Sequence, residues 1–316
     1  MRALAFVENL IAAGVCRGTP LLLASTGEIL AERSGVMNLG VEGMMLLGAA
    51  VGFAAAAASG SLLLGFLAAL AAGALLGSVH GVVTVLLAGD QVVSGLGLGF
   101  FGSGLASVLG AGFVGVAGPR VPRLDWPALA RLPLLGPVLF GESAIVLVGA
   151  LATPLAWFYL QRTRWGLELR AVGEAPAAAD AQGIPVVRLR LAHVAAGGAL
   201  SGLAGASLSL AITPGWVEGI TAGQGWIALG LVIFAGWSPV RAAAGSYLFG
   251  AIARLPLDLQ GIEGLPFLRN PSLGYFLDML PYLFTILVLA ATHLGRRHSG
   301  APAALGQPFV RGDRGR

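Results

Sequence analysis

The chain has 316 residues, 56% hydrophobic and only 11% charged, with a mean hydropathy of +0.84. So few charges cannot cover a soluble globule of this length. The net charge of +4 would suit a nucleic-acid partner, but the arginines sit at span ends and in the tail, where membrane topology accounts for them, and no nucleic acid is expected. All 19 basic residues are arginines, so no GxxxxGK[ST] phosphate-binding loop can exist here, and any ATP that drives this protein is bound by another polypeptide.

The charge-free windows 43–79, 91–119 and 143–161 are each long enough to cross about 30 Å of hydrocarbon. The expected fold is all-α: a polytopic integral membrane helical bundle of about 8–10 transmembrane helices. Cys16 is the one cysteine, which excludes an internal disulfide and a cysteine metal cluster. Glu8 interrupts the apolar region a cleaved signal peptide would need, so the first span is expected to stay.

Residues 4–31 read as that first span. Arg17 in its middle would cost roughly 2.5 to 3.5 kcal/mol facing lipid, so it should face protein or snorkel, and Pro20 implies a kink. Residues 27–50, GEILAERSGVMNLGVEGMMLLGAA, carry more polar groups than a simple span should. Glu28 and Glu32 share a helix face, as do Asn38 and Glu42, and Ser34-Gly35 and Gly40 offer a break between the pairs. A broken helix at membrane depth must be buried in protein or line a cavity, which points to a pathway or gate element. A second span completes at residue 59 and a third covers 62–87, with Gly73, Gly77 and Gly81 on one stripe for close packing and His80 as a satisfied core group. Residues 91–110 are so rich in glycine that a loosely specified, partly re-entrant helix is expected.

Residues 111–142 contain five prolines and read as an exposed, extracytoplasmic loop. A span over 143–160 then leads into a polar island, residues 162–190, with five arginines and three carboxylates. Its arginine excess places it in the cytoplasm. Pro176, four alanines and Gly183 mark a short helix within it, residues 176–182. Further spans are expected at 191–212, with Gly198 and Gly202 in GxxxG spacing, and at 226–237, 242–257 and 273–294. A loop over 254–271 precedes the last, so that residues 1–294 form one permease domain. The basic tail, 295–316, reads as disordered and cytoplasmic. Alternation along this list puts the island and the tail on one side and the N-terminus outside, with twelve arginines inside, six outside and Arg17 within a span.

Two motifs carry a family resemblance. RWGLELRAVGEAPAAADAQGI, residues 164–184, resembles the cytoplasmic coupling loop of bacterial ABC-transporter permeases of the ribose, branched-chain amino acid and nucleoside group. GEILAERSGVMNLGVEGMMLLGA, residues 27–49, resembles the N-terminal signature of the branch that works with basic-membrane-protein-type, nucleoside-binding lipoproteins. The likeness extends to GDQVVSGLGL at 89–98, GWIALGLVIFAGWSP at 225–239 and MLPYLFTILVL at 279–289.

The resemblance implies the shorter permease subunit of an ATP-driven importer of nucleosides or simple sugars in the bacterial inner membrane. The implied partners are a paralogous longer permease, a separate, tandem ABC ATPase that binds the ATP and Mg, and an extracytoplasmic substrate-binding lipoprotein; the chain itself holds no cofactor, metal or catalytic residue. It places the ATPase contact at Arg170, Gly173, Glu174, Pro176, Asp180 and Gly183. Ala175 and Ala177 stand where the family pattern commonly has Asn and a basic residue. For the translocation path the polar candidates are Asn38, Glu42, Gln91 and Ser94. The alternatives are a permease of the same fold for branched-chain amino acids or other sugars, and an ion-driven secondary transporter. The latter predicts carboxylates deep in the spans and two similar halves, and no convincing repeat is visible.

Overall fold

The computed structural model describes residues 2–124, 142–260 and 300–311, together with residue 136 and scattered positions between 273 and 290. Apart from two isolated bridges, Val114 with Trp216 and Arg123 with Ser143, the regular structure among these residues is helical. Helix α1 is Arg2–Arg33 and α2 is Val41–Ser59. Helix α3, Leu62–Gly81, is prolonged by a wider π turn, Val82–Leu86. Then come α4 (Gln91–Gly110), α5 (Ala144–Arg162), α6 (Arg164–Glu174), α7 (Pro176–Ala181), α8 (Val186–Ser207), α9 (Gln224–Ala235) and α10 (Pro239–Gln260).

Six of these helices, α1 to α5 and α8, are long and apolar enough to cross a membrane, and the protein is an integral membrane helical bundle. Of their most apolar stretches, 72%, 67% and 67% is buried in α1, α2 and α8, against 28%, 22% and 28% in α3, α4 and α5. The first three therefore form the centre, and the others turn leucine, valine and phenylalanine outward. The short α9 would reach only about 18 Å at 1.5 Å per residue, so it begins inside the bundle. The expected last span, 273–294, and loop residues 125–135 and 137–141 fall outside the described residues, wholly or in large part.

Backbone contact sets the centre. Gly73 of α3 meets the carbonyl of Gly198 on α8, while Gly202 of α8 lies between Gly48 of α2 and Ala69 and Gly73 of α3. The two small-residue stripes visible in the sequence are thus the two sides of one seam, in which lost side-chain volume is exchanged for close helix approach.

Helix α4 corrects the expectation of a loose, re-entrant segment. It is continuous from Gln91 to Gly110, its start capped by Asp90, whose Oδ1 accepts from the Val93 amide at 2.8 Å. Its glycines are contact surfaces: Gly95 packs on Leu39, and Gly102 on Gly43. Likewise α10 continues to Gln260, through residues expected to begin a loop. Residues 300–311 differ from the disordered tail expected there, because they form turns against the island, with Pro302 and Ala304 buried.

A Cβ on Gly205 of α8 would overlap the carbonyl of Met45, whereas one on Gly104 of α4 meets nothing within 4 Å. Gly205→Ala is therefore expected to cost about 1–3 kcal/mol by overpacking. Size-exclusion profiles of detergent-solubilised protein should show a reduced folded peak for Gly205→Ala and an unchanged one for Gly104→Ala.

Candidate functional site

Helix α1 stops where Gly35 adopts a left-handed conformation, φ +89°, with its amide bonded to the Glu32 carbonyl at 2.9 Å. The chain then folds back, so that the Asn38 amide donates to Oε1 of Glu28 at 3.0 Å. Glu28 lies five residues before the end of α1, about 7.5 Å up its axis. Residues 34–40 therefore re-enter the bundle, and α2 starts inside it.

Helices α3 and α4 also satisfy this broken backbone. Gln91 at the start of α4 accepts from the Met37 amide through Oε1 at 2.7 Å. The Met37 carbonyl lies 2.9 Å from Nε2 of His80 on α3. A carbonyl can only accept, so Nε2 carries a proton, and in the neutral ring Nδ1 accepts from the Ser94 hydroxyl at 3.0 Å. Asn38 closes the turn, its Oδ1 accepting from the Gly40 amide at 3.0 Å. Asn38 and His80 are fully buried and Gln91 is 3% exposed.

A second break, residues 213–223, meets the first. Glu42 in the first turn of α2 accepts from the Thr221 hydroxyl at 2.5 Å, the Gly223 amide at 3.0 Å and the Gly225 amide at 2.7 Å. One carboxylate thus caps the start of α9 with charge-assisted bonds. At the other end of α9, Trp237 holds a left-handed backbone, φ +56°, costly for a bulky residue. Its indole donates to Glu32, and its carbonyl accepts from Nη2 of Arg33 at 3.1 Å. Both ends of α9 are fixed by acidic residues flanking the break after α1.

The island builds a platform at the other end of these contacts. Thr163 caps α6, accepting from the Gly166 amide at 3.0 Å. Helix α7 starts on Pro176 and ends before Gly183, whose φ is +81°. Of the six coupling candidates, Glu174 and Gly183 are exposed, while Pro176, Asp180 and Arg170 are half-buried. Gly173 is buried: a side chain there would strike the Arg33 carbonyl and Pro302. Its amino-acid type is therefore accounted for by packing of α6 on the end of α1.

The sequence did not single out Arg190, near the start of α8, which is fully buried. Its Nε donates to the Ser34 carbonyl at 3.0 Å and its Nη1 to the Gln307 carbonyl at 3.1 Å. It ties α8, the break and the tail together. Its neighbour Arg188 is exposed, and nothing in their spacing tells the two apart. Of the four path candidates, Asn38, Gln91 and Ser94 stand around the first break and Glu42 joins it to the second.

The family described as branched-chain amino acid transport system, permease component, matches residues 10–290. The chain is 40% identical to a protein of Haloferax volcanii provisionally named as a glucose ABC transporter permease, TsgC13, over 98% of this chain and 99% of that one. It is 34% identical to the nucleoside ABC transporter permease protein NupC of Lactococcus lactis subsp. cremoris, over 96% and 98% of the two chains. It is 32% identical to the guanosine ABC transporter permease protein NupQ of Bacillus subtilis, over 96% and 97%. No solved structure matches it.

Replacing Glu42 by alanine would leave two amides and a hydroxyl without an acceptor, at an expected cost of about 2–4 kcal/mol. Thermal unfolding in detergent should show a marked loss of stability for Glu42→Ala. Glu42→Gln, which keeps one acceptor oxygen, should lie between it and the parent protein.

Proposed function

Since the chain belongs to the family of branched-chain amino acid transport system permease components, a membrane transport subunit and not an enzyme, we propose that it carries nucleosides or related simple sugars into the cell by alternating access. An ABC permease works with an ATPase and a substrate-binding protein. Here the island, residues 162–190, and the tail face the cytoplasm, and α7 is where the ATPase docks. ATP and Mg are held by that subunit, in tandem form. The second half of the pore is a paralogous, longer permease, and the binding protein is a lipoprotein on the opposite side.

The observation that carries the cargo reading is the end-to-end likeness to permeases named for a nucleoside, for guanosine and for glucose. These cargoes share a ring bearing hydroxyl groups. The 40% identity to the glucose-named protein supports a simple sugar as the second choice within that class. Asn38, Glu42, Gln91 and Ser94 contribute to the path as the wall of the gate formed by the two breaks. ATP binding shifts the bundle between its two states only by the difference in affinity of the ATPase for them.

Two measurements bear on this. Glu174→Lys, or deletion of 177–182, is expected to cut recovery of the ATPase with this chain at least tenfold; full recovery from both would reject docking on α7. Melting shifts of the partner binding protein should appear with nucleosides or simple sugars and be absent with leucine, isoleucine and valine. A response to the amino acids alone would move the cargo to that class.

A further inference from the structure

Helix α7, PAAADA, has six residues and one charged side chain, Asp180. So short a helix does not hold itself in water. Its inner residue Ala179 packs in a small cluster with Val172 of α6 and Val186 of α8, and the tail's Phe309 closes that cluster. Asp180 in turn is met by the tail's Arg311, Nε to Oδ2 3.0 Å, with the Arg311 side chain 80% exposed.

The tail is anchored along its whole described length. The Ala303 amide donates to Oε2 of Glu174 at 3.2 Å and the Ala304 amide to the Gly173 carbonyl at 2.9 Å. The Gly306 amide reaches the Gly35 carbonyl at 3.3 Å, and the Gln307 carbonyl is held by Arg190. Pro302 and Ala304 are buried, and Leu305 packs against the apolar cluster that includes Ile29 and Trp237. Val310, between Phe309 and Arg311, is 51% exposed, and alanines 177, 178 and 181 of α7 are exposed as well.

We propose that the ATPase docks on a composite surface, in which the tail residues 309–311 stand beside α7 and stay there while the ATPase is bound. This rests on α7 being the docking helix. Asp180 is ion-paired with Arg311, and exposed Glu174 keeps its charge while accepting from the Ala303 amide, so the surface presents the Arg311 guanidinium and the Glu174 carboxylate with exposed alanines and Val310 as its apolar part. The partner's complementary patch is an apolar cleft whose rim sets an acidic group opposite Arg311 and a donor opposite Glu174. Because the tail also bonds to Gly35 and Arg190, the same strand joins the docking surface to the end of α1.

The test uses the assembled transporter in membranes. Val310→Glu and Arg311→Glu change outward side chains, and each is expected to lower ATPase recovery at least fivefold while the chain stays folded by size exclusion. Truncation after Ser299 should lower it further. A third variant replaces Cys16 by serine and both Asp180 and Arg311 by cysteine; oxidising the pair should leave ATPase recovery and transport equal to those of the same variant kept reduced. Full recovery by Val310→Glu and Arg311→Glu would overturn the proposal. So would loss of the ATPase on oxidation relative to the reduced pair, which would make the tail a lid that must leave. A chain that keeps its ATPase after deletion of 177–182 defeats docking on α7 itself, whereas one that loses it on that deletion but not on the tail changes defeats only the tail's part.

Discussion

Inside a bilayer a backbone amide or carbonyl has no water to fall back on, and the break at residues 34–40 leaves several such groups free of helical partners. The rest of the described structure follows from meeting that demand. Met37 needs both a donor and an acceptor, and takes them from His80 on α3 and Gln91 on α4. Asn38 takes its acceptor from Glu28 on α1, and Ser34 its donor from Arg190 on α8. Helices distant in sequence are held in register by one short segment, which makes the break a joint between them.

The joint and the platform share residues 33–35. Gly173 of α6 lies on the Arg33 carbonyl, Arg190 holds Ser34, and the tail holds Gly35. Arg33 also holds Trp237 at the end of α9, whose start is capped by Glu42 of α2. A displacement of the platform must either carry these residues with it or break buried hydrogen bonds to charged groups, each worth about 1.5–3 kcal/mol. Carrying them is the smaller cost, so in the proposed coupling a movement of the island and a rearrangement of the two breaks would be one event.

Much of this was legible in the sequence, for reasons that are local. Pro176 and Gly183 bracket α7 because each imposes a backbone angle regardless of its neighbours. The stripe of Gly73 and Gly77 and the pair Gly198 and Gly202 announced close packing, because a missing side chain on a helix face has few other uses in a membrane. Ser34-Gly35 and Gly40 marked the break, and an excess of polar residues marked its depth. What escaped depends on partners far along the chain. Counting glycines in α4 gave a loose segment, since the cap on Asp90 and the contact with α2 that stiffen it are not visible in composition. The tail read as disordered because its proline, alanine and glycine content says nothing of the waiting pocket at Val172, Ala179 and Val186. Arg190 looked like one more topology-marking arginine; only burial separates it from Arg188.

The hydrogen bonds that hold the breaks also limit what a cargo could bind there. Both oxygens of Glu42, Oε1 of Gln91, Oδ1 of Asn38 and both ring nitrogens of His80 are committed to holding the breaks. A group committed to the backbone cannot bind cargo without releasing it, and the release costs about as much as the new bond returns. Among the described buried atoms near the breaks, Nε2 of Gln91, Oε2 of Glu28, Oε1 of Gln224 and Nη2 of Arg190 have no partner. In this conformation the joint therefore offers cargo little hold. If the proposed path runs through the breaks, hydrogen bonds to a hydroxylated ring become favourable there only when the breaks exchange partners, so the movement proposed to open it would also free its polar groups.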